Sequence, residues 1–219
     1  MSHAAIPRGR RKHYEKDHSI SVLHLRRHYA DGDGDQCHRL PSERGISQRT
    51  QSARATAHRQ KELKDARKKY SDAVAWLYMP GAEVDDPVVQ AKDNAYYLQK
   101  DENENYSEWG CYYAHCDNRL SSRSKLDRNT VIFGHSASNC DPDGSKLTKL
   151  HRYMDADYVK ENPYVYLSVK GEDMVFQITA CFITDIGFGY IAPDPTGDDL
   201  VSFFETVARK NWLDFDGVT

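Results

Sequence analysis

The strongest pattern along the chain is a strict alternation of side-chain types in residues 163–170, which read PYVYLSVK. Every second residue there is Val or Leu, as expected for a strand with one buried face. Gly171, Glu172 and Asp173 then have turn composition, and residues 174–184 resume an apolar-rich extended pattern. The pattern therefore predicts a β-hairpin over 163–184.

Shorter segments predict further strands. Residues 73–79 (AVAWLYM) form an apolar run that ends at Pro80-Gly81, and residues 83–89 continue in extended form across Pro87. Residues 109–114 and 130–133 are also strand-like, because aromatic and β-branched residues are concentrated there. Most of the apolar content of the chain thus lies in predicted strands.

Helical patterns are fewer and surround these strands. Residues 53–70 contain good helix formers but have a thin apolar face, and 147–153 and 156–161 have the length of short helices. A longer helix is predicted over 198–212, with an acidic first turn and a stripe of apolar residues formed by Leu200, Phe203, Phe204 and Val207. The sequence therefore predicts a mainly β fold with peripheral helices.

The first part of the chain differs from the rest in composition. Residues 1–52 show no sustained apolar period, and residues 1–70 contain 17 Lys and Arg against 8 Asp and Glu, whereas 71–219 contain 13 against 25. A polar segment of this kind buries too little apolar surface to offset the entropy of ordering. We therefore predict a basic, disordered tail at 1–52 and one folded domain over 53–219.

The same composition bears on partners and compartment. A basic arm that binds nucleic acid is the alternative interpretation of residues 1–52, but the basic residues are scattered and few aromatics accompany them, so we expect no nucleic-acid partner. No run of about 18 apolar residues predicts a membrane span, and no signal-peptide core follows Met1. From composition alone we expect a soluble chain without a membrane segment.

The most suggestive chemical group is His135, in the tripeptide Gly134-His135-Ser136 that directly follows the apolar residues 131–133. A histidine at the end of a strand lies at the rim of a sheet, where its side chain can reach a ligand. Near neutral pH a histidine side chain can hold or release a proton, which suits general acid-base catalysis. A surface-turn histidine without a chemical role is the alternative.

Two other site types involve the cysteines. A zinc site is an alternative suggested by residue type for Cys111, His115, Cys116, His135 and Cys140, but their spacing does not match that of known zinc sites, so we expect neither metal nor cofactor. Cys140, five residues after His135, is an alternative nucleophile for a Cys-His pair. Cys181 lies in the middle of a predicted strand and is expected to be a buried apolar residue.

Several short segments occur in the order and spacing of one family. From about Tyr70 to Thr219 the chain resembles class B sortases, cysteine transpeptidases of the cell surface. The resemblance rests on Trp76, Pro80-Gly81, Pro87-Val88-Val89-Gln90, Asp93-Asn94, Tyr97-Leu98, Val131-Ile132-Phe133-Gly134-His135, and Leu150 to Tyr153 with Asn162-Pro163.

The resemblance implies a fold and an activity. The implied fold is a β-barrel with an N-terminal helix and a long helix at 198–212 before the catalytic strand. The implied activity is the cutting of a sorting signal in a surface protein through a cysteine thioester, followed by transfer to an amine of the cell-wall peptide. A membrane-anchored location at the cell surface is implied as well. His135 matches the catalytic histidine of the family, and Asn94, Leu98, Tyr190 and Ile191 match residues that line the sorting-signal groove.

The chain also departs from the family pattern. The catalytic cysteine of the family follows the region that matches residues 216–219, and its arginine lies on the next strand, so both are expected beyond Thr219. None of the five cysteines, Cys37, Cys111, Cys116, Cys140 and Cys181, occupies the nucleophile position. Three hypotheses follow: a sortase domain lacking its last strands, a non-catalytic peptide-binding module or degenerate paralogue, and an enzyme that uses Cys140 with His135.

Overall fold

The computed structural model of the protein describes residues 20–27, 43–137, 141–184, 188–211 and 213, with only the backbone for 20–27 and 43–53. The elements in chain order are β1 Ile20–Arg27, α1 Glu43–Lys69, β2 Ala73–Met79, β3 Val84–Val89, β4 Tyr112–Ala114, β5 Ile132–Phe133, α2 Ala156–Glu161, β6 Tyr164–Val169, β7 Glu172–Thr184 and α3 Gly197–Lys210. Short 3-10 helices lie at Pro80–Ala82, Arg123–Lys125 and Lys146–Met154.

One sheet organises the strands in the order β1-β7-β6-β2-β3-β4-β5. Neighbouring strands are antiparallel except β3 and β4, which are parallel. The sheet curls into a half-barrel, so the mainly β fold class is confirmed. The predicted hairpin is also confirmed: β6 and β7 pair from Tyr164 opposite Gln177 to Val169 opposite Glu172.

The core lies on the concave side of this sheet. Alternate residues of β2, β6 and β7 point into it, as the two-residue period of a strand requires. The 3-10 helix Lys146–Met154 and α2 close the core from the other side, through Leu150, Tyr153 and Val159, each at most 3% exposed. Asp155 caps α2, since its side chain accepts a hydrogen bond from the Asp157 amide at 2.9 Å.

Helix α3 has the position and polarity that the sequence predicts. Asp198 and Asp199 lie in its first turn, and Arg209 and Lys210 lie in its last turn. Val207 is buried against β7, and the Phe203 ring stacks on Phe188 with centroids 5.7 Å apart. Phe204 is the exception to the predicted apolar stripe: its side chain remains 47% exposed, because α3 turns only one edge of that stripe toward the sheet.

The first 52 residues include regular structure in two places. The backbone of 20–27 forms β1, which pairs with β7 and forms one edge of the sheet, and α1 begins at Glu43 rather than near residue 53. Residues 1–19 and 28–42, the rest of the predicted tail, lie outside the described residues. Among the described helices, none has the length and apolar content that crossing a bilayer requires.

A buried ion pair holds α1 against the sheet. Arg59 is 4% exposed, and its guanidinium group donates to both carboxylate oxygens of Asp173, the second residue of β7. Asp173 also accepts from the hydroxyls of Thr56 and Ser168, and the Arg59 guanidinium lies 4.5 Å from the centroid of the Tyr166 ring. Leu63 and Ala66 of α1 also pack against Ala73 and Trp76 of β2, so the buried pair adds a polar attachment to an apolar one.

We expect Arg59→Met to lower the free energy of unfolding by about 3–5 kcal/mol, because it leaves the Asp173 carboxylate buried without its counter-charge. Equilibrium urea denaturation followed by circular dichroism measures this change. Lys61→Met is the matched control, since the Lys61 ion pairs with Glu62 and Asp65 are exposed and each contributes about 1 kcal/mol or less. Equal loss in both variants would contradict the role of the buried pair.

Candidate active site

His135 lies two residues after β5, in a loop whose backbone forms hydrogen bonds with the 3-10 helix Lys146–Met154. Its carbonyl oxygen accepts a hydrogen bond from the Leu147 amide at 2.8 Å. Two residues further on, the Ala137 amide donates to the Thr148 hydroxyl at 2.7 Å. The 3-10 helix Lys146–Met154 therefore fixes the backbone of the loop, while the His135 side chain stays partly exposed at the rim of the sheet.

Gly134 is required by this arrangement. A Cβ atom at position 134 would lie 2.8 Å from Cδ1 of Tyr112 and 2.9 Å from Cγ of Leu147, closer than packed carbon atoms approach. Residue 134 therefore passes between a β4 side chain and the 3-10 helix only if it is glycine. Packing therefore accounts for the glycine that precedes His135 in the sequence.

The segment that contains Leu98 passes beside His135. Gly110 has a φ of +55°, and a Cβ built on it would lie 3.0 Å from the Leu98 carbonyl oxygen and 3.4 Å from Nδ1 of His135. The Trp109 indole meets the imidazole ring edge to face, with ring centroids 6.4 Å apart. Leu98 is 49% exposed and Trp109 is 39% exposed. The structure therefore brings together the His135 imidazole, the Trp109 indole and the Leu98 backbone.

Tyr190 and Ile191 are attached to the segment that leads into β5. The Asn129 side chain donates to the carbonyl oxygens of Tyr190 at 2.7 Å and Ala192 at 2.9 Å, and the Asn129 amide donates to Pro193 O at 2.9 Å. Burial raises the pKa of Tyr190, whereas Ile191 is 41% exposed. Residue 129 lies six positions before His135, so the 190–193 loop and the histidine share one support.

Asn129 itself is held by a buried network. The Asn118 side chain accepts from the Val131 amide at 2.7 Å and donates to the Asn129 carbonyl at 2.9 Å and to Asp127 at 3.1 Å. Burial opposes ionisation of Asp127, but hydrogen bonds from the Arg119 amide and from the Asn118 and Arg119 side chains lower the pKa of its carboxyl group. Sequence reasoning missed Asn118 and Asn129, because side-chain bonds to distant backbone leave no periodic signal.

Asn94 is held through one half of its side-chain amide. Its side-chain oxygen accepts a hydrogen bond from the Cys116 amide at 2.8 Å, just after β4. Within the part of the chain that the structure describes, the Asn94 NH2 group has no acceptor. The side-chain oxygen of Asn94 therefore has a structural role, whereas its NH2 group remains available as a hydrogen-bond donor.

The cysteines that the structure describes fall into two groups. Cys111 and Cys181 are each 1% exposed, and burial raises the pKa of both thiols to about 12. Cys181 is thus the buried apolar residue that the sequence predicts. Cys116 is partly exposed. Cys140, the alternative nucleophile, lies outside the described residues, as does Cys37.

Among the described residues, those weighed as an alternative zinc site do not form one cluster. Within the described ranges, the candidate ligands that approach each other are His115, Cys116 and Asp117, three consecutive residues whose ligand atoms lie within 4.8 Å. Cys111 and His135 are not members of that group. Nδ1 of His115 already accepts a hydrogen bond from the Asp117 amide at 3.2 Å, so this lone pair is occupied.

Thiol reactivity should follow burial. We expect iodoacetamide at pH 8 to alkylate Cys116 well before Cys111 and Cys181, because a pKa near 12 instead of 9 lowers the thiolate fraction by about 1,000-fold. Peptide mass spectrometry of the alkylated protein reads each site separately. In urea, which unfolds the protein, the three cysteines should be alkylated at similar rates. Alkylation of Cys111 as fast as Cys116 in the folded protein would contradict the buried position of Cys111.

Comparison with known proteins finds similar chains of one kind. No model of a protein family matches the chain. The chain is 29% identical to sortase B of Listeria monocytogenes over 151 residues, 68% of this chain and 58% of that protein. It is 23% identical to sortase B of Staphylococcus aureus over 160 residues, 73% of this chain and 63% of that protein. The chain thus spans less than two thirds of the length of each relative.

Solved structures agree with the sequence comparison. The S. aureus sortase B–substrate complex superposes with a TM-score of 0.65 at 21% identity, covering 80% of each chain. At that identity the superposition shows the fold alone, and it is the fold that the resemblance of residues 70–219 implies. In sequence and in fold, this chain is similar to class B sortases.

Proposed function

We propose that this chain supplies the histidine and the peptide groove of a sortase-type transpeptidase, which cuts a sorting signal and joins the new carboxyl end to an amine. The observation that carries the proposal is the surface shared by His135, Trp109 and Leu98, with the 190–193 loop anchored six residues away at Asn129. The Trp109 indole contacts the partly exposed imidazole, and Leu98, Tyr190 and Ile191 would complete the apolar walls of a peptide-binding groove.

His135 would act as the acid-base group of both half-reactions. In the first, a cysteine sulfur attacks the scissile carbonyl, the C–N bond breaks, and the imidazolium gives its proton to the departing amine. In the second, the acceptor amine attacks the thioester carbonyl, the C–S bond breaks, and the imidazole takes the amine proton. The thiol belongs to the family's cysteine strand, which follows the region matching residues 216–219.

The sorting peptide would bind through four residues. Leu98, Tyr190 and Ile191 offer partly or largely exposed apolar surface, and the Asn94 NH2 group offers a donor for a peptide carbonyl. A substrate complex of the S. aureus relative, which shares the fold, supports a peptide as the ligand. The acceptor would be an amine of the cell-wall peptide, and the protein would act at the cell surface.

A peptide-binding module without transfer activity is the second candidate. It is favoured by the burial and raised pKa of Cys111 and Cys181, which remove two of the cysteines as nucleophiles. Both candidates require the same groove. They differ only in whether a thiol reaches His135, so binding and transfer have to be measured separately.

Binding is tested with an array of peptides from the C-terminal regions of proteins exported by the same cell. We expect the full chain to retain a subset of these peptides, and Tyr190→Ala to weaken that binding about tenfold or more, since a packed tyrosine often contributes 1.4 kcal/mol or more to binding. Tyr106→Ala is the control, because Tyr106 is 77% exposed on a neighbouring loop. If no peptide on the array binds, both the transpeptidase and the peptide-binding module are contradicted.

Asn129→Ala tests the support of the groove separately. We expect it to weaken peptide binding although Asn129 need not touch the peptide, because the Tyr190 and Ala192 carbonyls lose their donor. Fluorescence anisotropy with a peptide from the array gives the affinity. Affinity equal to that of the unaltered chain would show that the 190–193 loop is held without Asn129.

Transfer is tested with a peptide that binds, an amine acceptor and mass spectrometry of the products. A sortase-type enzyme should form the new amide, and His135→Gln should lower its rate by about 10²–10⁴-fold while peptide affinity is kept. The coding sequence downstream of residue 219 supplies the complementary test, by showing whether the same frame encodes the Thr-Cys strand and the arginine. Binding without thioester or amide in the longest encoded product would select the peptide-binding module.

A further inference from the structure

A cleft of about 390 Å³ lies where β3, β4 and the start of the 3-10 helix Lys146–Met154 meet. Its chemically distinctive lining residues are Glu83, Asp86, Trp109, Tyr112, Lys146 and Lys149. None of the four residues proposed for the peptide groove lines it. Small-molecule pockets commonly have volumes of about 300–1,000 Å³, so this cleft has room for a ligand of one or two rings.

Two charged residues of the cleft have a strained backbone. Glu83 has a φ of +53° and Lys146 a φ of +52°, in the left-handed region where a Cβ atom is unfavourable. In the part of the chain that the structure describes, Glu104, with a φ of +65°, is the only other residue besides glycine in this region. Glycine would relieve the strain at both positions. Strained side chains collect at ligand sites, so this pair indicates that the cleft binds something.

The charges that line the cleft balance each other. Hydrogen bonds from Lys149 and Arg152 hold the pKa of Glu83 at about 2, so Glu83 is ionised and paired. Among the described residues, neither Asp86 nor Lys146 forms an ion pair. The cleft therefore presents two carboxylates and two ammonium groups, which offer both acceptors and donors without a net charge that would select an anion or a cation.

Aromatic rings supply the apolar part of the cleft. The Trp109 side chain is 39% exposed, and the Lys146 ammonium lies 4.8 Å from the centroid of the Tyr112 ring. Burial raises the pKa of Tyr112, so its hydroxyl stays neutral. A sugar ring matches this combination, because each of its hydroxyls both donates and accepts, and its C–H groups carry the partial positive charge that an aromatic face attracts.

We propose that this cleft binds a sugar ring of a neutral oligosaccharide. Asp86 and Glu83 would accept hydrogen bonds from sugar hydroxyls, the Lys146 ammonium would donate to a sugar oxygen, and the Trp109 indole would pack against the ring. The inference goes beyond the proposed function, because sugar binding requires neither a thiol nor a sorting peptide.

Trp109 connects the cleft to the candidate active site. Its indole contacts the His135 imidazole, with ring centroids 6.4 Å apart, and it also lines the cleft. Lys146 directly precedes Leu147, whose amide binds the His135 carbonyl oxygen. A glycan in the cleft would therefore lie against the residues that support the imidazole, and would hold a polysaccharide beside the proposed active site without itself reacting.

Binding is tested with two neutral disaccharides, cellobiose and N,N′-diacetylchitobiose. The full chain is labelled with 5-fluorotryptophan, and Trp109→Phe identifies the Trp109 fluorine signal. We expect at least one of the disaccharides to shift this signal in a saturable way, while the signal of Trp76, which is 9% exposed between α1 and β2, stays unchanged. The disaccharide that binds more tightly tells whether the polymer carries hydroxyl or acetamido groups.

Saturation-transfer difference spectra of the sugar give the affinity for every variant. Lys146→Gly keeps the left-handed backbone, and we expect it to fold normally yet bind about tenfold more weakly. Glu104→Gly is the matched control, since it relieves the same strain outside the cleft. Asp86→Asn should weaken binding, whereas Asp198→Asn, at an exposed position on α3, should not. Trp109→Ala should abolish binding, and Trp109→Phe should restore part of it.

Two results would overturn the sugar site. One is the absence of a saturable Trp109 shift with either disaccharide up to its solubility limit. The other is unchanged affinity in both Asp86→Asn and Lys146→Gly. Chitobiose, the deacetylated and cationic form, should bind no more tightly than its neutral parent, and tighter binding would contradict a neutral ligand.

These outcomes are independent of the proposed function. Sugar binding by a chain that retains no peptide from the array would support the cleft and contradict the transpeptidase. Peptide binding by a chain that ignores both disaccharides would overturn the cleft and leave the proposed groove supported.

Discussion

The close passage of residue 134 between Tyr112 and Leu147 is the constraint on which the site depends. Only a residue without a Cβ fits there, so the backbone leaves β5 along one path and turns at His135. The Leu147 amide then binds the His135 carbonyl and fixes the turn to the 3-10 helix. An imidazole that has to give and take protons from a bound peptide needs this degree of backbone fixation, because acid-base catalysis is sensitive to geometry.

The remaining parts of the site are supported from the same strands. The Asn118 network holds the segment before β5, and through Asn129 it also holds the 190–193 loop, which would form one wall of the proposed groove. On the far side, the Arg59–Asp173 pair ties α1 to the start of β7. The pair thus joins the basic first part of the chain to the acidic remainder.

The sequence predicted those features that are repeated along the chain. The two-residue period of 163–170 is enough to identify a hairpin, and the stripe of apolar residues in α3 is enough to identify a helix. The start of α1 and strand β1 were not predicted, because residues 1–52 have no sustained apolar period to mark a helix or a strand. His135 was found through its position after an apolar strand, and its part in catalysis stays a prediction. Trp109, Asn118 and Asn129 were missed as site residues, since their roles arise from contacts between segments far apart in sequence.

The central claim is that His135 faces the groove in which a sorting peptide binds. Paramagnetic relaxation enhancement tests it most directly, using a peptide from the array with a nitroxide label at the C-terminal side of its recognised motif. The account predicts strong broadening of the His135 imidazole signals, assigned through His135→Gln, and no effect on His58, which is exposed on α1. An unbroadened His135 in the saturated complex would contradict it.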